Sequence, residues 1–205
     1  MTDTRVSDWF GSEFAHLHPL LQALHREGGT LQGTVELRFG SGVAGWLGRR
    51  LARKTGLPLE EGAVPLEVTI SHSHDALVWS RRFGAGDPVV STFEPIGKWP
   101  DGFFTERTGA VQLELAVDTA NHGWKWRLLR ARWKGWPVPL QLLPRTEAYK
   151  RIENGAYRFE VAFFAPGLGL MIRYGGLLAA KTQAAMAPAE MPVMQGGNRR
   201  GAPLR

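Results

Sequence analysis

One short string constrains this chain more than any other: RTEAYKRIENGAYRFEVAFF, residues 145–164. Asn154-Gly155 separates two runs of alternating character. Both residues tolerate the positive φ that a two-residue hairpin turn demands, so the pair is a strong hairpin signal. Counting outward from the turn places Ile152 opposite Tyr157, Lys150 opposite Phe159 and Ala148 opposite Val161. That face, extended by Phe163, is mostly apolar. The other carries Arg145, Glu147, Tyr149 and Arg151 against Arg158 and Glu160. Strands of this kind cover a core with one side and meet a polar environment with the other, as antiparallel sheets do.

The pattern repeats along the chain. Leu66, Val68 and Ile70 alternate with polar residues, a polar SHSHD turn follows, and Leu77, Trp79, Arg81 and Phe83 alternate again. Val89 to Phe93 is a short strand, and Pro100-Asp101-Gly102 a turn. Val111, Leu113, Leu115 and Val117 share a side; Asn121-His122-Gly123 turns the chain into Trp124–Trp133, where Trp124, Trp126 and Leu128 form a core face. After Pro166-Gly167, residues 168–178 complete the series. Upstream, 31–39 alternates as a strand between two helices. The first spans 12–27, with Leu17, Leu20, Leu21 and Leu24 on one face and Gly28-Gly29 as its stop. The second spans about 43–55 and ends at Gly56 and Pro58.

These signals predict an α+β, mainly β fold: a strongly curved antiparallel sheet or barrel-like meander with two short helices near the N-terminus. Many strands in hairpin succession leave edges that must be paired or covered, and curling the sheet does so. The expected organisation is a flexible N-terminus over 1–11, one β-rich domain over 12–180, and a disordered basic tail over 181–205, where periodicity ends.

Composition narrows function by exclusion. The 205 residues include no cysteine, which removes disulfides, thiolate nucleophiles and Cys-ligated zinc. The net charge of +6 is less telling than it looks, because half of it falls in residues 181–205. The body lacks the dense basic stripe of nucleic-acid binders, so nucleic acid is not an expected partner. The opening MTDTRVSDWF has no apolar secretion signal, and no apolar run reaches membrane-spanning length. A cytoplasmic protein with no transmembrane segment is expected.

Several residue groups suggest sites. FGSGVAG, 39–45, spells GxGxxG between a strand and a helix, but alternating strands and following hairpins argue against a dinucleotide fold. A tight glycine turn, or an anion site at the helix start, fits better. The helix beyond it carries Trp46, Arg49, Arg50, Arg53 and Lys54, an anion or membrane-surface candidate. Opposed to that is an ordinary surface helix with snorkelling arginines. His72 and His74 would point one way on a strand, yet two ligands make no metal site, and none is expected. His16, His18 and His25 read as solvated. Arg145, Glu147, Tyr149, Arg151, Arg158, Glu160 and Arg173 share one surface. They form a polar ligand patch if that face lines a barrel, or cross-strand ion pairs if it meets water.

RFGSGVAGWLGRRLARKTGLP (38–58), WPDGFFTERTG (99–109), LPRTEAYKRIENGAYRFEVAF (143–163) and PGLGLMIRYGGLL (166–178) together resemble a bacterial family classed as a domain of unknown function. The resemblance covers about residues 16–180. Members of that family occur alone or fused behind NAD-binding proteins of the saccharopine-dehydrogenase-like or short-chain-dehydrogenase type. The resemblance implies an oxidoreductase partner and carries no catalytic residue onto this chain. The expected function is an accessory module without catalysis or cofactor of its own, binding a small apolar or amphipathic molecule. A cofactor-free enzyme on the Arg145/Glu147/Tyr149 face and a membrane adaptor docking through 43–55 are the alternatives.

Overall fold

The computed structural model describes residues 4–73 and 75–186. Eleven strands follow one another: β1 (Gly29–Phe39), β2 (Gly62–His72), β3 (Leu77–Phe83), β4 (Val89–Ile96), β5 (Phe103–Thr108), β6 (Val111–Asp118), β7 (Trp124–Trp133), β8 (Trp136–Val138), β9 (Arg145–Glu153), β10 (Ala156–Ala165) and β11 (Gly169–Thr182). Every pairing is antiparallel. Ten of the strands close into a barrel, with β8 hanging from β7. The curved sheet expected from sequence is therefore a closed one.

Two long-range pairings accomplish the closure. β1 joins β11 along its whole length, Gly29 facing Thr182 and Phe39 facing Ile172. β7 joins β9 through three residue pairs only, Trp124 to Lys150, Lys125 to Tyr149 and Trp126 to Ala148. Beyond that short seam β7 turns to β8 instead. The β9–β10 hairpin has the register that Asn154-Gly155 implied.

Helices sit at one end and on one flank. α1 (Arg5–Phe10) starts at Thr4, whose hydroxyl and that of Ser7 make a reciprocal capping box. A 3₁₀ turn over Gly11–His16 leads to α2 (Pro19–Glu27). Val6, Trp9, Phe10, Phe14, Leu17, Leu21 and Leu24 are all buried and plug the barrel floor against Trp124 and Phe104. The segment 1–11, expected as a flexible N-terminus, overlaps this plug. Residues 5–10 are an ordered helix, held by a cap and by Val6, Trp9 and Phe10 at helical spacing.

α3 (Gly42–Thr55) lies outside the barrel against β11, its buried side made of Ala44, Gly45, Gly48 and Ala52. A methyl group at Gly48 would meet the Met171 carbonyl oxygen at 2.0 Å, so the helix rests directly on the strand backbone. β11 runs to Thr182 and α4 (Gln183–Met186) follows, so the first six residues of the range expected as a tail, 181–205, lie in these two elements. Residues 187–205 lie outside the described residues.

Candidate ligand-binding site

Alternation puts one side of each strand inside the barrel. Near the floor the interior is filled, but above it the packing opens. A cavity of about 180 Å³ remains. Its wall is Leu31, Leu66 and Val68 from β1 and β2, Trp79 and Arg81 from β3, and Phe93 and Glu106 from β4 and β5. Opposite stand Leu113, Leu115, Trp126 and Leu128, then Thr146, Ala148, Tyr157, Phe159, Val161 and Phe163, with Tyr174 and Leu178 from β11. Trp79, Trp126, Leu128, Phe159, Val161 and Phe163 are only partly buried although they point inward. The barrel therefore opens at the end away from the N-terminal plug, where β7 has left β9.

Two polar groups break this apolar wall. Near the mouth, Arg81 Nη2 donates to Ser91 Oγ at 2.5 Å. Ser91 Oγ lies 3.0 Å from Glu106 Oε1 and 2.6 Å from Thr108 Oγ1. Thr108 also reaches Glu106 Oε1, at 3.2 Å. Burial raises the Tyr174 phenol above its ordinary range, with the Arg81 charge opposing the shift. Deeper in the wall, Tyr157 is enclosed and its phenol is pushed well up by burial.

Beneath the cavity floor lies Lys150, 4% exposed. Its Nζ is 2.6 Å from His25 Nε2 and stands 3.8, 4.6 and 5.5 Å from the ring centres of Trp124, Trp79 and Trp126. His25 Nδ1 is 2.7 Å from the Leu21 carbonyl, which only accepts, so Nδ1 carries the proton and Nε2 receives a hydrogen from Lys150. Indole faces attract a cation. Burial of an ammonium without a carboxylate opposes its charge far more strongly, and it holds Lys150 well below the usual lysine range. Burial and the nearby amine likewise depress His25. The sequence reading had His25 solvated; it is instead a core residue, because α2 turns that position onto the barrel floor.

The charged surface singled out from sequence lies on the barrel's outer side. Thr146, Ala148 and Tyr157 point in, so the alternate positions point out. Arg145 pairs with Glu147 at 3.1 Å, Arg158 with Glu153 at 3.2 Å, and Arg173 with Glu160 at 3.6 Å. Arg151 also pairs with Glu153 and lies over the Tyr149 ring. On α3, Arg49 pairs with Glu61 at 3.0 Å and lies over Phe39, whereas Trp46, Arg50, Arg53 and Lys54 are exposed together. Gly40, Gly42 and Gly45 make the tight turn from β1 into α3; a methyl at Gly45 would strike the Gly40 carbonyl at 1.9 Å. His72 is half-buried on β2, and His74 lies outside the described residues. Among the described residues no cluster of three or more His, Asp or Glu has the geometry to hold a metal. No described helix is long and apolar enough to cross a membrane.

The β1–α3 turn and the β9–β10–β11 meander hold the strings that carried the family resemblance. A family model described as "Domain of unknown function (DUF4166)" matches residues 17–178. The chain belongs to the DUF4166 family. No curated protein matches it. The matched DUF4166 segment contains all eleven strands but the end of β11, and so the whole cavity wall. It omits α1, which is the outer part of the plug.

The sequence had brought Arg81 onto the face of Leu77, Trp79 and Phe83, and Lys150 onto the face of Ala148 and Ile152. A charge inside an apolar stripe was the signal for both. Glu106 was missed, because β5 (Phe103–Thr108) was not among the strands expected from sequence.

Proposed function

We propose that this DUF4166 protein binds one small apolar or amphipathic molecule inside its barrel, entering through the mouth beside Arg81 and Glu106. The observation that carries this reading is the cavity itself. Protein interiors are close-packed, and voids much larger than a water molecule are few. Here aromatic and aliphatic side chains line a space that none of them fills. Pockets of this make-up, mostly apolar with a few convergent polar groups, are what small ligands occupy. The molecule is small: an apolar cavity of roughly 150 Å³ takes a single benzene ring. On this reading the module stores or presents its ligand, and an NAD-dependent oxidoreductase is the partner class to which the family resemblance points.

The direct experiment is native mass spectrometry on protein from its own host, with displacement of an environment-sensitive apolar dye as the second readout. A bound small molecule, or dye binding abolished by Ala148→Trp, is expected. Apo protein in repeated preparations together with dye binding indifferent to Ala148→Trp would sink the reading.

One observation favours a second role for α3. Val43 and Trp46 are 61% and 60% exposed beside Arg50, Arg53 and Lys54. An interfacial tryptophan among cations suits an anionic lipid surface. Co-sedimentation with anionic vesicles at low salt, lost at high salt and in Trp46→Ala, is the expected result.

A further inference from the structure

The polar atoms left unpartnered in the cavity wall share one property. Trp79 Nε1, Arg81 Nε and Tyr157 Oη are shielded from solvent and have no hydrogen-bond partner. The indole and guanidinium N–H groups can only donate, and a protonated phenol has a hydrogen to give. Buried donors are normally satisfied, so each such group asks for an explanation. A purely hydrocarbon occupant would leave all three unmet. An occupant carrying an acceptor group beside Arg81 would meet the guanidinium among them.

Arg81 narrows the class further. Ser91 stands between its guanidinium and Glu106, and Glu106 Oε1 already receives the hydroxyls of Ser91 and Thr108. Arg81 belongs to the cavity wall, and its Nε is buried without a hydrogen-bond partner. Guanidinium is planar and forked, and its matched partner is the planar carboxylate, with two parallel N–H···O bonds. A phosphate dianion would bring more charge than a single arginine beside a glutamate can offset.

We infer that the occupant is a small monocarboxylic acid, its carboxylate on Arg81 at the mouth and its aromatic or branched tail among Trp79, Phe159 and Val161. The assignment rests on the cavity reading above and adds the ligand's head group. The carboxylate neutralises the guanidinium, and the tail displaces no packed side chain.

Two probes with one carbon skeleton separate the assignment from the reading beneath it: 3-phenylpropanoate and 3-phenylpropan-1-ol. Each is titrated calorimetrically into wild type, Arg81→Gln, Arg81→Lys and Glu106→Gln, with circular dichroism confirming the fold. The acid is expected to bind wild type at least tenfold more tightly than the alcohol. Arg81→Gln erases that gap while the alcohol still binds, and Arg81→Lys restores part of it. Glu106→Gln leaves acid binding unchanged or tighter. Equal affinity of acid and alcohol for wild type overturns the carboxylate assignment and leaves the cavity reading standing; this comparison needs no variant. Loss of acid binding in Glu106→Gln also overturns it, since a zwitterionic ligand would then be indicated. Failure of both probes to bind overturns the assignment together with the cavity reading.

Discussion

Burial works against the charged forms of Lys150 and His25. In an unfolded chain they titrate near 10.5 and 6.5, and burial lowers both in the fold. Between the lowered value and the ordinary one, the unfolded state holds the extra proton. Stability therefore rises with pH across each window, by up to about 1.4 kcal/mol per pH unit for one proton. The midpoint of thermal unfolding should climb through the acid range up to 6.5 as His25 ceases to matter. It should climb again as the pH rises toward 10.5. Lys150→Met should flatten the second climb and shrink the first, since the amine is one cause of the lowered His25 value, as differential scanning calorimetry over a pH series would show. The sequence held half of this pair in plain view, since Lys150 interrupts an apolar face whose register the Asn154-Gly155 turn fixes. His25 was hidden. Its burial depends on α2 packing onto β9, a contact between residues 125 positions apart, and no local pattern encodes such a contact.

Helices α1 and α3 are the elements whose fit is tightest. Trp9 donates its indole N–H to the Ile96 carbonyl at 3.0 Å and meets Phe10 and Phe104 edge-on. Removing so large a buried aromatic typically costs about 3–5 kcal/mol. Trp9→Ala should lower the urea midpoint accordingly, without changing which strands pair. Gly48→Ala should destabilise by about 1–3 kcal/mol, because the new methyl must push α3 off the Met171 carbonyl. A calorimetric scan of that variant checks it, and Gly42→Ala, where a side chain meets open space but φ is +54°, separates strain from crowding. Sequence periodicity placed α3 and α2 well because each repeats its apolar spacing over two or more turns. It missed α1, only six residues long, where Val6, Trp9 and Phe10 give a single turn of signal.

At the scale of the molecule, the hairpins and the need for the sheet to curl were legible, and the strands that close the barrel were not. β9–β10 declares itself through a two-residue turn, whereas β1–β11 joins residues far apart in sequence by hydrogen bonds that any extended pair could make. The cavity was illegible for the same reason: alternation says which side chains face inward, and only closure decides how much room they leave. If a small acid occupies that room, it adds stability by mass action, about 2.7 kcal/mol at a hundredfold excess over its dissociation constant. A thermal-shift titration with 3-phenylpropanoate should show the midpoint rising with concentration in wild type and rising less in Arg81→Gln, by no more than with 3-phenylpropan-1-ol.

The pairing of first strand with last also fixes where the chain's two ends emerge. Thr4 lies against the end of α2, and Gln183 donates its backbone N–H to Gly28, so residues 4 and 183 both leave from the plugged pole. The described residues thus begin and end at the base of the vessel, and the rim through which a solute would pass is the opposite one.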